Sequence, residues 1–93
     1  MVVSVKGYLT FRDLMGQRQV DILDGATLRT LLEQLALDLG EGYTRQVFDA
    51  RGGLQPAVSL LVNGVHYTHS QAGLGMALHA GDEIAIFPPM AGG

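Results

Sequence analysis

The sequence predicts an α+β fold, a mixed sheet of about five strands with one main amphipathic helix packed on one face. Three observations carry the prediction. Strand-like runs bounded by turn residues lie near both ends of the chain. Leu28, Leu31, Leu32, Leu35 and Leu39 repeat at three- and four-residue intervals, which draws one apolar stripe along a helix. Asn63-Gly64, the strongest hairpin-turn dipeptide, closes an apolar run.

The elements follow in order. Val2 to Phe11 reads as a strand, with Val3, Val5, Leu9 and Phe11 on the buried parity and Ser4, Lys6, Tyr8 and Thr10 on the exposed one. Arg12 to Gln17 reads as a turn. Arg18 to Leu23 returns as a second strand with Val20 and Ile22 on one face. Asp24-Gly25-Ala26 is a turn, Thr27 an N-cap, and Gly40 the stop after the leucine helix. Glu41 to Ala50 holds a short helix carrying Tyr43, Val47 and Phe48 over one end of the core. Arg51-Gly52-Gly53 is a turn; it has loop glycines but not the Lys-Ser/Thr that makes a phosphate loop specific. Val58 to Val62 is apolar on both parities and reads as a central strand. Val65-His66-Tyr67 pairs back on it. Thr68 to Leu78 is a connection with one short helical turn, and Ala80-Gly81-Asp82 leads into a last strand, Glu83 to Phe87. Two strands, a crossover helix, a minor helix and three more strands make the order of a β-grasp, ubiquitin-like fold. Residues 1–87 form that domain and residues 88–93 a flexible tail.

Composition bounds the chemistry. Ninety-three residues make one small domain, and 47% apolar residues suffice for a core without staples. The chain has no cysteine, which excludes disulfides, thiolate metal sites and a cysteine nucleophile. Six basic residues against nine acidic ones give a net charge of −3, so no nucleic-acid footprint is expected. No apolar run has membrane-spanning length and no signal sequence opens the chain, so the expectation is a soluble, cytoplasmic protein with no membrane partner.

Parity also predicts a partner face. If Ile84 and Ile86 face the helix, Ala85 and Phe87 point away from it. The same rule turns Leu61 and Tyr8 outward. Tyr8, Leu61 and Phe87 come from three strands that such a fold brings together, and an apolar patch there marks an interface. Beyond Phe87 the chain reads Pro88-Pro89-Met90-Ala91-Gly92-Gly93. The prolines end the strand and direct the chain away from the body. Two glycines without Cβ make a tip thin enough to thread a narrow tunnel. The expectation is that the terminal carboxylate is the working group of this tail; the alternative reading is a frayed terminus.

Phe87-Pro88-Pro89-Met90-Ala91-Gly92-Gly93, preceded by Gly81-Asp82-Glu83-Ile84-Ala85-Ile86, resembles the C-terminus of the ubiquitin-like sulfur carriers, in particular the molybdopterin synthase small subunit and MoaD/ThiS-like proteins. Phe11-Arg12-Asp13-Leu14-Met15-Gly16 resembles the family's first turn. Val47-Phe48-Asp49 with Leu54, and Val58 through Gly64, resemble its middle, especially in archaeal-type small modifier relatives. Met90 stands where valine is common in the family. The resemblance implies that a ubiquitin-activating-type (MoeB/ThiF-like) adenylyltransferase uses ATP and Mg to adenylate Gly93, and that sulfur transfer then makes a thiocarboxylate. It implies that Gly93 is the modified residue, that Gly92, Ala91, Met90, Pro89 and Pro88 form the tail, and that the positions of Tyr8 and Phe87 dock partners. No catalytic residue, metal or cofactor is implied on this chain itself. The implied acceptor is a MoaE-like molybdopterin synthase large subunit, for molybdenum or tungsten cofactor synthesis, or another sulfur acceptor enzyme in thiamine, cysteine or transfer-RNA thiolation.

Other readings stand beside this one. The same adenylate can pass to a lysine amine, making the chain a protein modifier; Lys6 is its only lysine. His66, His69 and His79 match no strong metal spacing. Ser4, Ser59 and Ser70 have no nucleophile-elbow context, and Asp82-Glu83 reads as turn chemistry. A plain interaction module is the remaining alternative.

Overall fold

The computed structural model describes residues 1–89; the tail residues Met90, Ala91, Gly92 and Gly93 lie outside the described residues. β1 (Val2–Gly7) and β2 (Gln17–Asp21) pair antiparallel, with Val2 opposite Asp21 and Lys6 opposite Gln17. β5 (Glu83–Phe87) lies parallel to β1 on its other side, Lys6 opposite Ala85. β3 (Ser59–Val62) then pairs antiparallel with β5, and the short β4 (Val65–His66) closes the edge. The sheet order is β2-β1-β5-β3-β4. A mixed five-stranded sheet crossed by one helix is the β-grasp architecture. The central strand is β5. β3 lies one place further out and alternates, with Leu60 and Val62 buried and Ser59 and Leu61 half-buried, so its outward apolar residue marks a surface rather than a second buried face.

The crossover is α2 (Leu28–Leu39), and Thr27 caps it by accepting from the Thr30 N–H. Leu28, Leu31, Leu32 and Leu35 have no exposed surface, and they share one buried cluster with Val3, Val5, Leu60, Ile84 and Ile86. Leu39 is partly buried against it. Gly40 ends the helix at φ 82°, a left-handed value that glycine adopts without a Cβ penalty. α3 (Glu41–Val47) follows and buries Tyr43 and Val47. The Tyr43 phenol donates to the Leu32 carbonyl at 2.9 Å. Burial pushes its ionisation well above the ordinary phenol range. Two 3-10 turns, Tyr67–His69 and Gly73–Gly75, occupy the connection before β5.

The first strand is shorter than its alternation predicts. β1 stops at Gly7, and Thr10–Met15 is a helix, α1, where a continued strand and a turn are expected. Phe11 is buried, but from the helix, together with Met15 one turn on. Leu9, expected inside, is 51% exposed. Gly7 permits the change. A Cβ there would stand 2.5 Å from both the Phe11 carbonyl oxygen and Met15 Cγ, so α1 can lie on the end of β1 only because the side chain is missing.

Candidate docking face and tail root

β1, β5 and β3 each turn one parity into the core, and their other parity forms an open sheet face. The register aligns a row across it, with Lys6 opposite Ala85 and Ala85 opposite Leu61. Phe87 lies at the end of β5, opposite Ser59. Tyr8 is tied to the same end, its N–H donating to the Ile86 carbonyl at 3.0 Å. The rings of Tyr8 and Phe87 stack with centroids 4.4 Å apart and planes within 10°. Lys6 Nζ sits 4.9 Å from the Tyr8 ring centroid, a cation–π distance. Ala85 is small and its neighbours are long, so the face dips into a shallow concavity of about 330 Å³ lined by Lys6, Tyr8, Leu61, Ala85 and Phe87 among others.

Tyr8, Leu61 and Phe87 are therefore brought together, all half-buried on one face. Lys6 belongs with them and was readable from its shared parity with Tyr8. Pro88 is buried and Pro89 exposed, so the chain leaves the sheet beside the aromatic stack. The expected working residue, Gly93, with Gly92, Ala91 and Met90, lies outside the described residues.

The lead-in to β5 is clamped. Asp82 accepts from Asn63 Nδ2 at 2.9 Å and from the His79 N–H at 2.7 Å. Asn63 Oδ1 in turn accepts from the Glu83 N–H at 2.9 Å. Asn63 and Gly64 both have positive φ, as a two-residue hairpin turn of the I′ type requires. One carboxylate and one amide thus fix the β3–β4 turn to the start of β5, and Asp82-Glu83 is turn chemistry. The Arg51-Gly52-Gly53 loop is also internally satisfied, because Asp49 Oδ1 accepts from the Arg51 and Gly53 N–H groups at 2.9 Å each. Those amides are not free to hold a phosphate. His66 Nδ1 bonds the Thr68 hydroxyl, and among the described residues no three His, Asp or Glu side chains gather as metal ligands. No helix among them is long and apolar enough to cross a membrane.

A β-grasp domain with Tyr8, Leu61 and Phe87 on an open sheet face, and with Pro88 and Pro89 leaving the sheet beside them, has the form of the ubiquitin-like small modifiers and sulfur carriers. The chain belongs to the ThiS family, whose model matches residues 9–93. It is 33% identical over 95 residues to small archaeal modifier protein 3 of Haloferax volcanii, with 100% of both chains covered. The crystal structure of SAMP1 from Haloferax volcanii has a TM-score of 0.83 and 30% identity, again with both chains fully covered. The structure of the putative molybdopterin converting factor, subunit 1 from Pyrococcus furiosus has a TM-score of 0.74 and 27% identity over 96% of this chain and 98% of that one.

Proposed function

We propose that this protein is a sulfur carrier whose Gly93 carboxylate is adenylated by a ubiquitin-activating-type adenylyltransferase and converted to a thiocarboxylate. The observation that carries the reading is the Tyr8–Phe87 stack, an aromatic platform at the point where the chain leaves the sheet. A partner that grips this platform holds the root of the tail and aims its tip. The carrier supplies no acid or base; its contribution is position, which converts a diffusional encounter into a local one. Adenylation is needed because a carboxylate is a poor electrophile and AMP a good leaving group. ATP and Mg act in the partner.

The acceptor is the molybdopterin synthase large subunit, a choice supported by the structural similarity to the putative molybdopterin converting factor, subunit 1 from Pyrococcus furiosus. A second reading is isopeptide modification of protein lysines, supported by full-length similarity to a protein named as a modifier. One experiment separates them. The protein is loaded with ATP, adenylyltransferase and a sulfur donor, then offered the large subunit with its pterin substrate and, separately, a cell extract. Molybdopterin formation with return of the carboxylate supports the first reading. A thiocarboxylate that persists with the large subunit, beside isopeptide conjugates in the extract, replaces it with the second.

A further inference from the structure

Leu9 has φ 55° and ψ −127°. It is the first central residue of a turn closed by the Phe11 N–H donating to the Tyr8 carbonyl at 3.0 Å. These angles are those of a type II′ turn, where that position favours glycine and a branched side chain is strained. The surroundings over-determine the strain. Tyr8 is pinned to β5 through the Ile86 carbonyl, the Gly7 N–H donates to the Gly16 carbonyl at 2.8 Å, and α1 is pressed on Gly7. The Leu9 side chain does not repay this with burial, because it is 51% exposed. Leu23 and Leu37 are more exposed still, at 85% and 87%, but neither is strained. Folding stability does not account for a leucine here.

We propose that Leu9 is a docking residue, an exposed apolar knob on the residue that follows Tyr8, which enters an apolar socket on the adenylyltransferase acting on the tail. The position supports this occupant. An enzyme working beyond Pro89 must close around the root at Phe87 and Pro88, and Leu9 is one residue from the ring stacked on Phe87. The turn fixes the backbone that carries the knob, which lowers the ordering cost of binding. The proposal rests on the activation reading above.

The test uses full-length protein with the adenylyltransferase encoded in the same genome, read as ATP–pyrophosphate exchange against carrier concentration. Leu9→Gly relieves the strain and removes the knob. It should raise the thermal midpoint by about 4 °C or more while raising the carrier KM about tenfold or more with little change in kcat. Leu9→Ala should raise KM similarly without gaining stability, and Leu37→Ala on α2 should leave KM unchanged. Unchanged KM for Leu9→Gly overturns the docking role while exchange by the wild type preserves the activation reading. A lower thermal midpoint for Leu9→Gly also overturns it, since the leucine would then be serving the fold. No exchange with wild type and a demonstrably active enzyme overturns the activation reading and this proposal together.

Discussion

At the scale of single residues, two buried or half-buried polar groups set measurable stability terms. Tyr43 has no exposed surface, and its phenol has one acceptor, the Leu32 carbonyl. Desolvation raises its ionisation above the value of about 10 it has in the unfolded chain. The folded state therefore holds this proton more tightly. Its stabilising contribution is complete below pH about 10 and declines as pH rises through the window between the unfolded and folded values, by at most about 1.4 kcal/mol per pH unit. Urea titrations from pH 8 to 11 should show this decline, and Tyr43→Phe should remove it while costing about 1 kcal/mol at neutral pH. Asp82 joins two segments through charge-assisted bonds, so Asp82→Ala should cost about 2 kcal/mol in the same assay. Asp82→Asn keeps one acceptor oxygen and should cost about half as much. The Asp82-Glu83 pair could be read from sequence as turn chemistry, because the flanking Gly81 and the strand after it frame a turn. Its partner Asn63 could not, since nineteen residues separate them and only the fold brings them together.

At the scale of elements, the meaning of Gly7 is spatial. α1 rests on the place where its Cβ would be. Gly7→Ala puts a methyl against a backbone carbonyl, which cannot move without lifting the helix. A loss of about 3 kcal/mol is expected, read as a fall in the urea midpoint. Leu31→Ala in α2 should cost a similar amount by opening a cavity under the crossover helix. The two helices differ in how far sequence exposes them. α2 is long, periodic and capped by Thr27 and Gly40, so every local signal agrees. α1 spans six residues, Thr10–Met15, too few to show a helical period against the alternation running in from β1. Phe11 satisfies both patterns, since it is buried either way. Only Leu9, exposed where alternation puts it inside, separates them.

At the scale of the whole molecule, the sheet has two unlike faces. One is covered by α2 and closed into a single core; the other carries Tyr8, Lys6, Leu61, Ala85 and Phe87 and ends where the chain exits at Pro88. This division was legible in sequence for Leu61 and Phe87, because parity holds along β3 and β5, whereas Tyr8 lies one residue past the end of β1 and is tied to that face by its hydrogen bond to the Ile86 carbonyl. The strained turn was not legible, because φ at a leucine has no sequence signature. The proposed role of the molecule is to present the Gly93 carboxylate for activation. Its most direct test is the intact mass of the protein after incubation with ATP, the adenylyltransferase and a sulfur donor, beside a form lacking Gly93. The account predicts a gain equal to exchange of one oxygen for one sulfur, absent from the shortened form. No gain in the full chain with an active enzyme, or an equal gain without Gly93, would contradict it.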